Sequence, residues 1–237
     1  FLIIFYMENQ SLVANKQDNT VKVSFYITYS FFLTTATITF IEAMRNKDAK
    51  IRHILNLETC ISIVAAFFYG QFMDKLKTMN EENKEINYKQ INFTRYTDWM
   101  ITTPIMLLVL CLVFVYNSGG NLKAWLFFAI LVLNYCMLGA GYAGELNVIP
   151  KRYGLIWGFV FFFLLYGLIY YKFLHNKYNR DNSMIFWAFV IFWSIYGVIY
   201  ESDEITKNIG YNVLDLFSKC FVGIFFWAYL AKVIKIF

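Results

Sequence analysis

Lys219 and Asp215 lie four residues apart in the apolar run YNVLDLFSKCFVGIFFWAYLAK, so a helix sets an amine and a carboxylate on one face, one turn apart. Lysine is among the costliest side chains to hold in such surroundings, and its amine forms Schiff bases with carbonyl compounds. A neighbouring carboxylate would stabilise the charged form of such an adduct. The same pair could instead be an ion pair that only joins helices. A second constellation, Arg95, Asp98 and Thr102, stands in NFTRYTDWMITTPIMLLVL. There Asp98 and Thr102 share a helix face, the threonine can hydrogen-bond the carboxylate, and Arg95 one turn away favours its charged form. Pro104 frees a carbonyl that a local hydroxyl or water must satisfy.

Aromatic residues supply a second layer. Trp193, Tyr196 and Tyr200 recur at helical spacing and, with Trp99, would wall a long conjugated or apolar ligand; in a chain that is 21% aromatic, they could equally be ordinary core packing. Three further acids, Glu42, Glu58 and Glu145, lie within or at the ends of apolar runs and should face a protein interior or a water-filled cavity, because exposure to lipid costs about 3 kcal/mol. Cys60, Cys111, Cys136 and Cys220 all fall in apolar runs without CxxC spacing, which reads as small buried side chains rather than disulfides or a metal site. No P-loop or zinc pattern is present, and no enzymatic activity is expected.

The elements that must position these groups are membrane spans. Of 237 residues, 59% are hydrophobic and 16% charged, and apolar stretches cover about 22–44, 50–73, 95–116, 122–143, 153–175, 183–200 and 208–232. Each approaches the ~20 residues that a helix needs to cross a bilayer, and the backbone's need for internal hydrogen bonds favours helices over lipid-exposed strands. The expectation is an all-α seven-helix bundle filling 1–237 as one domain, with termini on opposite sides. The connections on the C-terminal side carry ten basic residues against nine opposite, which votes weakly for N-terminus outside and C-terminus inside. The formal charge of +5 lies mostly on those inner loops, where it suits anionic lipid heads and gives no reason to invoke nucleic acid. The expected location is a plasma or cell membrane. The opening FLIIFYM is too short and lacks the basic start of a signal peptide, and the polar stretch 76–94 is expected to be the longest connection, either capping the bundle or solvated.

Taken in order, RYTDW followed by Thr102 and Pro104, GYAGE at 141–145, WSIYG at 193–197 and LDLFSK at 214–219 resemble the third, fourth, sixth and seventh helices of microbial rhodopsins of the proteorhodopsin type. The resemblance spans essentially the whole seven-helix region. It implies all-trans retinal carried by Lys219 as a protonated Schiff base, Asp98 as primary counterion and proton acceptor, Asp215 as second counterion, and Arg95 with Thr102 as the gate and counterion complex. Trp99, Met106, Trp193, Tyr196 and Tyr200 would line the chromophore, with Met106 at the colour-tuning position in its green-absorbing form. Glu145 would tie helix ends near the outer face, and trimers or pentamers are common in the resembled family.

The chain also departs from that pattern. Gly197 replaces the usual proline of the sixth helix, and Tyr69 stands where a histidine often accompanies the counterion, which would leave Asp98 unshared. Val109 occupies the position of the carboxylate that reprotonates the Schiff base in many outward pumps. Glu58 lies about 12 Å from the inner boundary and Val109 about 10 Å, so Glu58 is inferred to be a relocated donor that holds a proton at rest. It could instead only hydrogen-bond Asn56 or Thr59, or line a pore. Lys207 stands where some relatives carry a releasing acid, leaving Glu201, Asp203 and Glu204 as substitutes. The expected function is a retinal-dependent, green-absorbing, light-driven outward proton pump. A light-gated cation channel and a photosensor with a separate transducer are the alternatives.

Overall fold

The computed structural model of the protein describes the backbone of residues 2–81, 87–175 and 179–234, and the side chains of 19–79, 87–175 and 179–234. The chain forms seven helices: α1 (Leu2–Arg45), α2 (Ala49–Glu81), α3 (Tyr88–Ser118), α4 (Ala124–Glu145), α5 (Lys151–Phe173), α6 (Arg180–Ile199) and α7 (Glu204–Leu230). All seven contain a stretch long and apolar enough to cross a membrane, and no strand occurs among the described residues. The side on which α1, α3, α5 and α7 begin is termed the N-side, and the opposite one the C-side.

The seven expected spans are all present, with shifted ends. The second helix continues past residue 73 to Glu81, and the third starts at Tyr88 instead of 95, so the polar 76–94 stretch is helical over 76–81 and 88–94, with 82–86 outside the described residues. Polarity marks where hydrocarbon ends, whereas the helix ends where its backbone finds a cap. Asn87 supplies that cap for α3 by accepting from the Gln90 N–H at 3.2 Å, and Lys75 Nζ donates to Thr94 Oγ1 at 2.6 Å across the two extensions. At its other end α3 stops at Gly119, whose φ of 69° is the left-handed conformation that glycine adopts without a Cβ penalty. Pro104 leaves α3 unbroken. The Met100 carbonyl, whose helical donor the proline lacks, accepts from the Tyr135 hydroxyl at 3.3 Å, satisfying the requirement read from the sequence.

Burial is uneven around the bundle and shows where the polar interior lies. In their most apolar windows 56% of α2 and α3 and 50% of α7 are buried, against 17% of α4 and 28% of α5 and α6. The buried charged side chains lie on α2, α3 and α7, while α4 and α5 present large apolar side chains such as Phe128 and Phe163 outward. The α4 and α5 backbones meet closely at glycines: a Cβ on Gly154 would stand 2.9 Å from the Ala140 carbonyl and 3.1 Å from Gly144 Cα. Helix α7 is α-helical to Asp215, π-helical over Leu216–Phe221 and α-helical again from Val222, so Lys219 sits inside the wider turn.

Candidate functional site

Lys219 is the centre of a fully buried charge network. Its Nζ donates to Asp98 Oδ2 at 2.8 Å and stands 3.4 Å from Asp215 Oδ1, with the lysine side chain 2% exposed and both carboxylates 0%. Two cations, Lys219 and Arg95, thus meet two carboxylates, Asp98 and Asp215, which is what makes their burial tolerable. Asp215 also accepts from the Tyr196 hydroxyl at 2.6 Å and the Tyr69 hydroxyl at 2.8 Å.

The partners within this network differ in part from those expected. Arg95 makes its direct contacts with Asp215 and two amides rather than with Asp98: its Nη1 stands 3.9 Å from Asp215 Oδ2, while its Nη2 donates to Asn208 Oδ1 at 3.1 Å and Asn212 Oδ1 at 2.9 Å. The rings of Phe25, Phe72 and Tyr211 cage the guanidinium, with centroids 5.1–5.5 Å from its central carbon. Thr102 Oγ1 donates to the Asp98 backbone carbonyl at 2.9 Å and not to the carboxylate, as a helical threonine does when it satisfies itself one turn back. Tyr69 donates to Asp215, so that position leaves Asp98 unshared, as the sequence implied. Asn208 and Asn212 were not singled out from the sequence. Their only signal there is recurrence at i and i+4 on the face that leads to Asp215.

A cavity extends from Lys219, and the lysine is the only charged residue among those that line it. Trp99, Met106, Trp193, Tyr196 and Tyr200 all border it. Trp99 meets Tyr196 edge to face with centroids 5.4 Å apart, and Tyr200 is fixed by donating to the Gly141 carbonyl at 2.7 Å. Phe159 on α5 completes the wall and could not be found from spacing. A Cβ on Gly197 would come within 2.6 Å of its ring, so the residue at the proline position of α6 makes room for an aromatic side chain from α5. An amine at one end of a deep apolar space with flat aromatic walls fits a retinal joined to Nζ.

Glu58 lies on the C-side of Lys219. It is 2% exposed, and a Cβ on Gly223, one turn beyond Lys219, would stand 3.0 Å from its Oε2 and 3.1 Å from Thr35 Cγ2. The carboxyl therefore rests against α1 and α7. Thr59 is not its partner, since that hydroxyl donates to the Leu55 carbonyl at 2.9 Å and meets Thr39 Oγ1 at 2.8 Å. Among the described residues no ion pair involves Glu58, and a carboxyl buried without a cation is stable there in its neutral form. Val109 is 0% exposed in the same apolar core as Leu110, Phe114 and Phe226.

A second ionic cluster closes the N-side. Lys207, 0% exposed, donates to Glu145 at 2.9 and 3.0 Å and to Glu204 at 2.7 Å. Asn92 Nδ2 donates to the same two carboxylates at 3.2 and 3.1 Å. Glu145 thereby links α3, α4 and α7. Of the three acids considered for proton release, Glu204 is held by Lys207 and Glu201 is exposed. Asp203 caps α7, and its hydrogen bonds from Thr206 and Ile205 hold its carboxyl below the usual range, so it is ionised at neutral pH with no proton to release.

A family model described as bacteriorhodopsin-like protein matches residues 19–233. The crystal structure of viral rhodopsin OLPVRII is similar at 51% identity and a TM-score of 0.83, covering 91% of this chain and 99% of that one. A blue light-absorbing proteorhodopsin from Med12 superposes with a TM-score of 0.72 at 22% identity, over 90% and 98% of the two chains. The rhodopsin of Exiguobacterium sibiricum does so at 0.76 and 18%, over 92% and 98%. No protein with a curated description matches the sequence.

Proposed function

The chain belongs to the bacteriorhodopsin-like protein family, and we propose that it is a green-absorbing, light-driven pump that moves protons outward, with its N-side facing out. The observation that carries this reading is the placement of two carboxyl groups on opposite sides of Lys219 Nζ. Asp98 touches the nitrogen from the N-side, and Glu58 lies one helical turn away toward the C-side. Retinal joined to Nζ would supply light absorption and the photoisomerisation that turns the Nζ–H bond.

The chain's own groups do the rest. Asp98 Oδ2, already the hydrogen-bond acceptor, takes the Nζ proton; Asp215, which accepts from Tyr69 and Tyr196 and faces Arg95, keeps the site's charge balanced. Glu58, buried and unpaired with any cation among the described residues, gives its proton back to Nζ from the opposite side and becomes a carboxylate. Direction follows because the acceptor and the donor face different sides.

Voltage-clamp photocurrents in a cell membrane test the proposal. The expected result is a current that stays outward across voltage and disappears in Lys219→Ala. A sustained current that reverses sign with voltage would establish a channel, and negligible current with slow recovery of the resting colour would establish a sensor.

A further inference from the structure

The two seams by which a proton could reach Lys219 from the C-side differ sharply in chemistry. Around Val109 on α3 the packing is apolar, with Leu110, Val113, Phe114 and Phe226 all 0% exposed. Between α1, α2 and α7, buried hydroxyls accompany Glu58: Thr35 and Thr39 on one helix face of α1, and Thr59 and Ser62 on α2. Thr39 Oγ1 and Thr59 Oγ1 are 2.8 Å apart. Among the described residues Ser62 Oγ is buried with no hydrogen-bond partner, although such groups are nearly always satisfied by protein or by water, and the buried Thr35 hydroxyl has only the weakly bonding Cys220 thiol beside it. Thr35 is also the α1 residue that meets the space kept open by Gly223, and Ser62 stands one turn from Glu58 on the face toward Lys219.

Resting on the proton-pump reading above, we propose that Lys219 is reprotonated along the α1–α2–α7 seam, with Thr35 and Ser62 as hydrogen-bonding stations for the Glu58 proton and Gly223 as the residue that lets the carboxyl approach α7. In balance, Glu58 gives its proton to Nζ and becomes a carboxylate. A proton arriving from the C-side through the Thr39–Thr59 pair and Thr35 restores the acid. Thr35, Ser62 and Gly223 act through Glu58 and are positioning residues.

The test compares Thr35→Val, Thr35→Ser, Gly223→Ala and Val109→Ser in the retinal-loaded protein, following the return of the resting absorbance after a flash and, in the dark, the infrared carboxylic C=O band that Glu58→Gln removes. Thr35→Val keeps the volume of the side chain and should slow the return about five- to tenfold, the factor expected for one lost hydrogen bond. It should also move the Glu58 band, and Thr35→Ser should restore both. Gly223→Ala should displace the same band, which can be read in retinal-free protein even if that variant no longer cycles. Val109→Ser should leave the rate unchanged. A faster return in Val109→Ser, with no effect of Thr35→Val on rate or band, would overturn the seam. If the unsubstituted protein passes no outward current while the band still moves in Thr35→Val and Gly223→Ala, the local geometry stands and the pump reading fails.

Discussion

Lys219 Nζ lies closer to Asp98 on α3, at 2.8 Å, than to Asp215 on its own helix, at 3.4 Å. The pairing legible from one helical turn is thus the looser of the two, and the hydrogen bond that counts for proton transfer crosses between helices. The two carboxylates should behave differently when neutralised. Asp98→Asn removes the hydrogen-bonded acceptor and should abolish outward photocurrent while moving the absorbance to longer wavelength, because a nearby negative charge favours the ground state, in which positive charge is held at the nitrogen. Asp215→Asn leaves that acceptor in place but removes the negative charge that Arg95 faces and that Tyr69 and Tyr196 donate to, so its main expected effect is lost stability, about 3–5 kcal/mol for one partner removed from a buried pair. Absorbance spectra and thermal melts of the two variants check this.

The Glu145–Lys207–Glu204 cluster predicts a coupling that can be measured. Lys207→Met leaves two carboxylates facing one another around Asn92 and should cost about 3–5 kcal/mol, seen as a lower melting temperature in detergent. Adding Glu145→Gln to that variant should recover part of the loss, since the repulsion then falls. Purely additive losses would show that Lys207 does not bridge the pair in the membrane protein.

How much of this could be read from the sequence depended on whether the relevant partner was local. Lys219 with Asp215, the aromatic spacing of Trp193, Tyr196 and Tyr200, and the seven apolar runs are properties of single helices, and each appears in the structure, the runs with shifted ends. The direct partners of Arg95 and Tyr69 were not legible because each choice is made between helices: α7 offers Asn208 and Asn212 to the guanidinium, and Tyr69 on α2 donates to Asp215, whereas Thr102 bonds one turn back within α3. Phe159 and Gly223 were invisible for the same reason, since a glycine's value as empty space exists only once the opposing side chain is placed. The polar 76–94 stretch was misread because charge signals departure from lipid and not the end of a helix.

Met106 is 3% exposed and borders the cavity that begins at Lys219. Replacing it by a polar side chain of similar length puts a dipole beside the chromophore without altering the charge network. Met106→Gln should therefore move the absorption maximum from green toward blue while the outward photocurrent keeps its sign. A shift in the opposite direction would count against the green assignment.

Gly197 and Phe159 form the last test. A Cβ at 197 would lie 2.6 and 2.8 Å from two Phe159 ring carbons, closer than side-chain atoms pack, and the ring is also bounded by Phe162 and Phe163 at centroid distances of 6.0 Å. Gly197→Ala should therefore push Phe159 into the cavity, with an overpacking cost of about 1–3 kcal/mol. The expected readouts are slower uptake of added retinal by the retinal-free protein and a shifted absorbance. Trimming the ring in Gly197→Ala/Phe159→Leu should restore the uptake rate, because the extra methyl then occupies space the ring has left. If the double variant is as slow as the single one, the glycine matters for the course of α6 and not for the room it leaves, and the proline-to-glycine departure would have to be explained by helix geometry.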